Sequence, residues 1–533
     1  MWHNLLAIMD TSEKNIDLKN LSFHYFASHQ PVPGSAEELE QFEKIQKTFS
    51  NQFQLFFPDN LASKTIIVIP SLTLDQEVLS KITGSMYYEE RLLCLLMLLR
   101  MPCTHITYVS SMPIDPIIID YYLHLLPGIT GFHARERLTL LSCYDASSIS
   151  LTEKILQRKR LIKRIKQSIS PEHVAHIACF NTTPFERTLS VVLGVPIYGC
   201  DPSLTYLGNK SGSRRLFLKA GIPMPPGAEN LYSYDDIVHA VAALKDMYPE
   251  LKKAVIKMND GFSGNGNAII KYPDLENKRE LFEWIHHNLY KEIIPVADDL
   301  STTAFLKKFI QMGGIVEAFV EGDIKASPSA QCRINPLGAV DLISTHDQVL
   351  GGESQQVFLG AHFPADESYR IQIGELSKTI AQALKKEGVL GRFSIDFISV
   401  KENDNWKHYA IEINLRKGGT THPFLMLQLL THGHYNEATG IFETPAKQQR
   451  YYFASDNLQN DAYKGVTPKD LIEIATFHGL HFDAVTQKGV MFHMIGAVSQ
   501  FGKIGVVCIG ESPGEAFSYY LKTVEVLDAE TVY

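Results

Sequence analysis

The first 200 residues carry a repeating pattern of short uninterrupted apolar runs separated by amphipathic stretches. Residues 64–70 are a continuous β-branched run of buried-strand length that ends in a proline, and shorter runs lie at 104–109 and 176–180. Amphipathic patterns at 89–100 and 151–168 predict helices between them. Because strands that alternate with helices favour a mostly parallel sheet, this part of the chain is predicted to be an α/β domain.

The pattern changes twice after residue 200. Between about 200 and 450, glycine and proline punctuate many short strand-like runs. Near the C-terminus, Thr467 and Pro468 predict a helix start, and strand candidates at 489–498 and 505–509 precede a helix that reaches about residue 521. We therefore predict a multidomain α/β and α+β protein with domains at 1–205, 206–450 and 451–533, the last one small and separate.

Composition narrows the class of protein. Of 533 residues, 45% are hydrophobic and 20% charged, which excludes a chain that is disordered throughout. The 50 lysines and arginines against 59 acids give a net charge of -9, which argues against a dedicated nucleic-acid binder. The basic pattern at 151–168 is compatible with a nucleic-acid or membrane contact, but a charge run without interleaved aromatic residues is more typical of a solvated helix face.

Two features bear on location. The seven cysteines are odd in number, dispersed and without a CxxC pair, as expected for reduced thiols. The N-terminus lacks a cationic segment ahead of its short apolar stretch, and the apolar run at 92–99 is far shorter than the ~20 residues that a membrane-spanning helix needs. We expect a cytoplasmic protein with no membrane partner.

Two lysines lie where phosphate groups are commonly bound. Lys210 stands at a Gly/Ser-rich helix start, where backbone N–H groups favour an anion, although a capped helix with a surface lysine has the same pattern. Lys257 ends a predicted strand before a glycine-rich loop, after which a second strand returns. Such a hairpin either folds over phosphates or is an ordinary turn. The loop candidates are Gly261, Ser263, Gly264, Asn265 and Gly266.

A third segment, 314–322, is an apolar strand that ends in acids and a glycine. It is either a hinge whose backbone reads the edge of an adenine while Glu321 holds the ribose, or an edge strand that runs into a turn. The residues of this candidate hinge are Glu317, Ala318, Phe319, Val320 and Glu321.

The fourth segment, 409–416, alternates strictly between apolar and polar residues. Side chains at period two share a face, so Glu412, Asn414 and Arg416 are predicted on one face and Ile411 on the other. Pairing with the strand at 392–400 through a short polar turn brings Asp396 near Glu412. Carboxylates and an amide oxygen suit Mg²⁺, although a solvated face with an ion pair has the same pattern.

Two further motifs are rejected. Gly510 to Gly514 matches GxSxG, but the residue after Ser512 is Pro513, which has no N–H for an oxyanion hole, so a capping box with Glu515 is favoured. The histidine pairs His432/His434 and His478/His481 have no neighbouring cysteines and no HExxH frame, which makes surface or core histidines more typical than a zinc site. There is no Walker-type phosphate loop in the sequence.

The order and spacing of these segments resemble the ATP-grasp superfamily. Lys210, Lys257, the hinge and the closing Glu412-x-Asn414-x-Arg416 strand with Thr421-His-Pro423 match biotin carboxylase and D-alanine–D-alanine ligase patterns. The stretches at 186–189, 197–201, 207–214 and 492–496 resemble a narrower group, the pheganomycin-type peptide ligases. The resemblance covers most of the chain from about 175 to 520 and implies that residues 1–205 are a pre-ATP-grasp domain and 206–450 the ATP-grasp domain.

The resemblance implies a mechanism and a set of roles. ATP would lie between two lobes, with Lys210 and Lys257 on its phosphates and the loop from 260 to 267 as a lid. Mg²⁺, or Mn²⁺ as an alternative, would be bound by Asp396, Glu412 and Asn414, so that a substrate carboxylate attacks the γ-phosphate. Arg416 would stabilise the acyl phosphate, while Arg333 and Arg392 would either grip a carboxylate or form structural ion pairs.

We therefore expect an ATP- and Mg²⁺-dependent carboxylate–amine ligase that makes a peptide or related amide bond. Its partners would be ATP and small-molecule or peptide substrates, with no nucleic acid and no membrane, and a homodimer stays open. An ATP-grasp phosphotransferase is the first alternative. A non-catalytic ATP-binding regulator is the second, although such a protein would have no use for an acyl-phosphate stabiliser such as Arg416.

Overall fold

The uninterrupted apolar run near residue 64 forms an inner strand of a parallel sheet in the N-terminal domain. The structure, a computed structural model, describes residues 30–531 except 75, 262–265, 276, 298–299 and 352–356. The elements of this domain are α1 (Ala36–Phe56), β1 (Lys64–Ile69), α2 (Gln76–Lys81), a 3-10 helix (Ser85–Arg100), β2 (Thr104–Ser110), α3 (Pro116–His124), α4 (Gly131–Arg135), β3 (Leu138–Ser142), α5 (Leu151–Leu156), α6 (Lys159–Gln167), β4 (Val174–Cys179), α7 (Pro184–Leu193) and a second 3-10 helix (Pro202–Gly208).

The N-terminal sheet confirms the predicted α/β arrangement. Its strands run parallel in the order β3-β2-β1-β4, and every residue of β1 is buried. The helix predicted at 151–168 is divided into α5 and α6, and on α6 only Leu161 and Ile165 are buried. The basic residues of that helix therefore lie mainly on a solvated face, as the charge pattern favours.

The next segment builds a smaller lobe around a five-stranded antiparallel sheet. Its strands follow the order β5-β9-β6-β7-β8, and helices cover its apolar face. The elements are α8 (Lys210–Ala220), β5 (Gly227–Leu231), α9 (Tyr234–Met247), β6 (Lys253–Met258), β7 (Asn267–Lys271), α10 (Lys278–Glu292), β8 (Ile294–Pro295), α11 (Thr302–Met312) and β9 (Gly314–Ala318).

A large, mostly antiparallel sheet occupies the centre of the chain. The strand order is β10-β14-β11-β12-β13-β18-β20-β19, with β15 paired to β14. The elements are β10 (Ile324–Ala326), β11 (Pro328–Ile334), β12 (Val340–Gly351), β13 (Val357–Phe363), α12 (Arg370–Lys386), β14 (Gly391–Glu402), β15 (Asn405–Asn414), α13 (Thr421–Thr431), β16 (His434–Asn436), β17 (Ile441–Glu443), β18 (Tyr451–Gln459), a 3-10 helix (Asp461–Tyr463), α14 (Pro468–Phe477), β19 (Gly489–His493), a 3-10 helix (Ile495–Ala497), α15 (Val498–Phe501), β20 (Lys503–Gly510) and α16 (Pro513–Thr531).

The C-terminal segment, which the sequence predicts to be a small domain of its own, contributes its strands to the central sheet. Strand β18 pairs with β13, so the three C-terminal strands extend the central sheet, and the boundary at 450 stays a prediction. Thr467 caps α14 with a full capping box, as predicted, and α16 ends ten residues beyond the expected limit of 521. Among the described residues, none of the helices is both long and apolar enough to cross a membrane.

Of two adjacent buried acids, Glu89 bonds within the N-terminal domain and Glu90 links that domain to the C-terminal segment. Glu89 accepts hydrogen bonds from the N–H and hydroxyl of Ser111 at 2.7 and 2.6 Å, whereas Glu90 accepts one from the N–H of Gly496 at 3.1 Å. Burial is the main cause that raises the pKa of Glu89 to about 7 and the pKa of Glu90 to about 8. Glu90 therefore joins the two parts of the chain as a neutral acid at neutral pH.

We predict that Glu90→Gln removes part of the pH dependence of folding stability. The pKa of Glu90 in the folded state, about 8, is above its ordinary value of 4.5, so its contribution to stability falls as pH rises between these values. Glutamine keeps an oxygen for the Gly496 N–H and carries no charge. Thermal unfolding should give similar Tm values for the two proteins at pH 5 and a higher Tm for the variant at pH 9. Glu525→Gln, at an exposed position, is the control. The same difference in Tm between Glu90→Gln and wild type at both pH values would contradict the prediction.

Candidate functional site

Lys210 lies where the small lobe meets the central sheet. It is the first residue of α8, whose start is capped by the Asn209 side chain through a 2.7 Å bond from the Gly212 N–H. A Cβ at Gly212 would overlap the carbonyl of Tyr206, so glycine permits the close approach of the preceding chain. The ammonium of Lys210 lies 3.5 Å from Glu412 Oε1, and their side chains are 7% and 25% exposed. The pair joins the start of α8, whose Leu216 and Phe217 pack in the core of the central sheet, to strand β15.

Asn259 is a site residue that the sequence patterns missed. Its side-chain oxygen accepts hydrogen bonds from the Ser211 N–H and hydroxyl at 3.1 and 2.6 Å, and its carbonyl accepts from the Lys210 N–H at 3.2 Å. Its amide donates to the carbonyl of Met312 at 3.1 Å. Asn259 therefore fixes the start of α8 against the end of β6, directly before the glycine-rich loop.

The glycine-rich loop begins and ends beside Lys210. Strands β6 and β7 pair antiparallel with Lys257 opposite Asn267, which confirms the predicted hairpin. A Cβ placed on Gly261 would lie 3.8 Å from the ammonium nitrogen of Lys210. The Gly266 carbonyl accepts a 2.9 Å hydrogen bond from the Met258 N–H. Of the predicted loop residues, Ser263, Gly264 and Asn265 lie outside the described residues.

Lys257 belongs to a buried ion network that contains Glu317. One carboxylate oxygen of Glu317 contacts the Lys257 ammonium and the other lies 3.2 Å from Arg214 Nη1. Arg214 also contacts Glu229 at 3.2 Å and donates to the Pro225 carbonyl at 2.8 Å. Because both cations share the Glu317 carboxylate, the network fixes the Lys257 ammonium beside β9.

The hinge begins later than the sequence pattern predicts. Glu317 and Ala318 belong to β9, and Ala318 N–H bonds to the Pro226 carbonyl at 2.8 Å, so neither lies in the linker. The connection between the two sheets starts at Phe319, whose ring is flanked by the ammonium groups of Lys253 and Lys325 at 5.1 and 4.8 Å. Val320 and the exposed Glu321 follow it in the linker.

The hairpin of β14 and β15 brings together the predicted metal ligands. Asp396 pairs directly with Glu412, and Asn414 pairs with Ser394. A bulge between Asp396 and Phe397 shifts the register, so that Ala410 rather than Ile411 packs in the core; the predicted burial of Ile411 is wrong for that reason. The bulge leaves both carboxylates on the cleft face.

Asp396 is held by two amides. Its Oδ1 accepts a 3.0 Å bond from Gln348 Nε2, and its Oδ2 accepts a 3.0 Å bond from Asn414 Nδ2. Burial, followed by repulsion from Glu412, raises the pKa of Asp396 to about 7, which the nearby Arg416 and the two amide bonds oppose. Gln348 was not found by the sequence reasoning because it lies on β12, 48 residues away.

Arg416 and Lys417 come shortly after Asn414, and neither has a carboxylate oxygen within 4 Å among the described residues. Arg416 donates to the Lys417 carbonyl at 3.2 Å, and the Lys417 ammonium donates to the carbonyl of Cys179 in the N-terminal domain. Burial lowers the pKa of both side chains. Arg392 Nη1 is buried and has no hydrogen-bond partner among the described residues. The three cations thus line a buried region between the N-terminal domain and the central sheet.

Arg333 is engaged by its own hairpin. Its Nε and Nη2 contact a single oxygen of Asp341 at 2.9 and 2.7 Å across β11 and β12. Arg392 lies opposite it on β14, and burial followed by the charge of Arg333 lowers the pKa of Arg392 to about 10. Of the two readings the sequence allows for Arg333, the structural ion pair is the one that is observed.

Comparison with known proteins agrees with this geometry. The family model described as IQCH-like, ATP-grasp matches residues 202–298 and 279–438, and that of the PGM1 C-terminal domain matches 470–523. Residues 202–438 therefore match an ATP-grasp domain model. The biotin carboxylase of Campylobacter jejuni has a TM-score of 0.52 at 13% identity, covering 89% of this chain and 96% of its own. The biotin carboxylase domain of Hydrogenobacter thermophilus 2-oxoglutarate carboxylase has a TM-score of 0.51 at 14% identity, covering 87% and 89%.

Two relatives match nearly the whole chain. The L-propargylglycine–L-glutamate ligase of Streptantibioticus cattleyicolor is 28% identical over 464 residues, which are 85% of this chain and 92% of the relative. The IQ motif-containing protein H of Danio rerio is 21% identical over 519 residues, which are 88% of this chain but 49% of that protein, so this chain spans about half its length. The predicted ATP-grasp fold and the enzyme class, an ATP-grasp ligase, are confirmed.

We predict that Lys257→Ala lowers the affinity for ATP by about tenfold or more, since a charge-assisted contact with a phosphate contributes roughly 1.5–3 kcal/mol. Isothermal titration calorimetry with ATP measures the change. Lys271→Ala, an exposed lysine on the neighbouring strand β7, is the matched control and should stay within about twofold. Equal affinities for the two variants, with unchanged Tm, would remove Lys257 from the nucleotide site.

Proposed function

We propose that this protein is a carboxylate–amine ligase that uses ATP to form a peptide or related amide bond through an acyl phosphate. The observation that carries the proposal is the arrangement around the β14–β15 hairpin. Asp396 and Glu412 face each other across the hairpin, and Arg416 follows Glu412 by four residues. Among the described residues, no carboxylate oxygen lies within 4 Å of the Arg416 guanidinium. The first pair suits a metal-bound phosphate, and the second feature suits an anionic acyl intermediate.

The oxygen ligands of the hairpin fit Mg²⁺. Asp396, Glu412 and Asn414 offer only carboxylate and amide oxygens, the ligand type that hard divalent cations prefer. The raised pKa of Asp396 reflects two carboxylates in a buried space, a repulsion that a divalent cation relieves. When bound, Mg²⁺ would neutralise charge on the transferring phosphoryl group. Mn²⁺ in its place stays a prediction.

The remaining nucleotide contacts come from both lobes. Lys257, fixed by Glu317, and Lys210, beside the loop base at Gly261, are positioned for phosphates. The linker from Phe319 to Glu321 is the segment whose backbone would meet the adenine, with the exposed Glu321 on the ribose. The loop between β6 and β7 would close over the phosphates and exclude water from the intermediate.

The buried cations support an anionic first substrate. Lys417 follows Arg416 in the chain and its charge interacts with that of Arg392, and neither Arg392 nor Lys417 forms an ion pair with a carboxylate among the described residues. Buried charges are costly unless they are paired, so this cluster favours a carboxylate ligand. A substrate carboxylate held there would keep one oxygen free for the γ-phosphorus.

The chemistry then proceeds in two displacements. A carboxylate oxygen of the acid forms a bond to the γ-phosphorus while the bond to the β-phosphate oxygen breaks, and ADP leaves. The amine nitrogen next attacks the acyl carbon, the bond to the phosphate oxygen breaks, and inorganic phosphate leaves as the amine loses a proton. Arg416 is positioned to stabilise the negative charge of both steps, and no covalent enzyme nucleophile is required.

The test is ADP release by the purified protein over pairs of amino acids and short peptides, with mass spectrometry of the products. The relative named for L-propargylglycine and L-glutamate makes α-amino acids the first panel. Turnover that requires the amine and yields the mass of both substrates minus water supports ligation. A stable product heavier by one phosphoryl group would support a phosphotransferase, and ATP binding without turnover across the panel would support a regulator.

Within that assay, Glu412→Gln should lower kcat by about 100-fold or more, because it removes a charged ligand at the transferring phosphate. Glu402→Gln, on the same hairpin but exposed and paired with Lys407, should leave kcat within about twofold. Full activity of Glu412→Gln would overturn the metal assignment.

We further predict that Arg392→Gln raises KM for the acid substrate by about tenfold or more while KM for ATP stays within about twofold, since a buried charge-assisted contact contributes roughly 1.5–3 kcal/mol. Arg333→Gln is the matched control on the adjacent strand, because Asp341 already neutralises Arg333. If the two variants shift KM for the acid equally, Arg392 has no direct role in holding the carboxylate.

A further inference from the structure

A second cluster of metal-binding side chains lies outside the nucleotide cleft. His422 in the first turn of α13, Asp456 on β18 and His493 at the end of β19 are 2%, 6% and 3% exposed. The two imidazole Nε2 atoms are 2.9 Å apart, and Asp456 Oδ1 lies 2.7 Å from that of His493 and 3.3 Å from that of His422. Three ligand atoms therefore converge on one buried point.

Protons alone do not satisfy this arrangement. An ionised Asp456 has only lone pairs to offer, so its two short contacts each call for an N–H on the facing imidazole. If both Nε2 atoms carried hydrogens, the 2.9 Å nitrogen–nitrogen contact would bring two donors together. If only one did, its hydrogen would be shared and one imidazole lone pair would face the carboxylate. A cation at the centre is the arrangement that satisfies all three atoms together.

The donor set selects the kind of cation. Two imidazoles and one carboxylate suit zinc and neighbouring transition metals rather than Mg²⁺, which prefers oxygen. A tetrahedral zinc with bonds of about 2.0–2.1 Å separates its ligand atoms by about 3.3–3.4 Å, close to the observed separations of 2.7–3.3 Å.

The surroundings orient the ligands. Arg91 Nη1 lies 3.3 Å from Asp456 Oδ2, so Oδ1 is the oxygen that faces the imidazoles. The guanidinium of Arg91 is itself held between the rings of Tyr88 and Phe180 at 4.5 and 4.4 Å. A side chain at Gly505 would overlap the His493 ring, so glycine is needed at that place on β20. Such outer contacts are typical of the shell around a metal site.

We propose that His422, Asp456 and His493 bind one zinc ion at a structural site separate from the nucleotide cleft. The site joins three parts of the chain: α13, which follows Arg416 and Lys417; the C-terminal strands β18 and β19; and, through Arg91, the N-terminal domain. The metal would fix the start of α13 and thereby the loop that carries Arg416. This proposal does not rest on the ligase activity.

The test is metal analysis of the full chain purified without a histidine tag. Mass spectrometry of the elements should find about one zinc per chain in the wild type after dialysis against metal-free buffer. His422→Gln and His493→Gln should each reduce the zinc content at least fivefold, whereas the double variant His432→Gln/His434→Gln, which changes a histidine pair away from the cluster, should retain it. Zinc content that is unchanged in His422→Gln and His493→Gln would overturn the proposal.

A spectroscopic readout on the wild type covers the case in which a variant does not fold. Protein produced in zinc-depleted medium with cobalt should show the intense visible absorption of tetrahedral Co²⁺, and adding zinc should bleach it. A folded wild type with neither zinc nor a cobalt spectrum would overturn the proposal and leave a metal-free hydrogen-bonded cluster. Because neither measurement involves ATP, failure here is distinguishable from failure of the proposed ligase function.

Discussion

Backbone pairing between β14 and β15 brings two like charges together, and the chemistry of the site is arranged around that repulsion. The hydrogen bonds of the hairpin fix Asp396 opposite Glu412, and the bulge at Ile411 keeps both on the cleft face. Gln348 and Asn414 hold the Asp396 carboxylate from two sides, while Lys210, at the start of a helix packed on the same sheet, lies 3.5 Å from Glu412. Two half-buried carboxylates held this close repel each other, and a bound cation would relieve that repulsion.

A cluster of positive charges lies next to this pair of carboxylates. Arg416 and Lys417 lie two and three residues after Asn414, and Arg392 lies four residues before Asp396 on the same face of β14. One hairpin and the residues that follow it thus carry two facing acids and, next to them, three bases. An overall charge of -9 is compatible with such a local excess of positive charge.

The features that local pattern dictates were predictable. The alternation from Glu412 onward, the lysine before a glycine-rich loop and the cap at Thr467 each depend on neighbours in sequence, and the structure has them. The bulge at Ile411 was not predictable, because a strict alternation gives no sign of an inserted residue. The extension of the central sheet by β18 to β20 was missed since strand partners 90 residues apart leave no periodic signal.

The residues that complete the site were missed for the same reason. Gln348, Asn259 and Lys417 act through contacts with elements distant in sequence, and each type is common on protein surfaces. His422 and His493 are 71 residues apart, while the histidine pairs that spacing made conspicuous lie elsewhere. The linker begins at Phe319 rather than at Glu317, because the buried ion network with Lys257 and Arg214 keeps Glu317 inside β9.

In the proposed mechanism, an acyl phosphate connects ATP cleavage to bond formation. An acid substrate whose carboxylate oxygens are both ¹⁸O tests this step, with mass analysis of the released phosphate. We expect about one ¹⁸O atom in each phosphate, because the oxygen that attacks the γ-phosphorus leaves with it when the amine displaces the acyl group. Phosphate that carries no ¹⁸O during amide formation would rule out the acyl phosphate.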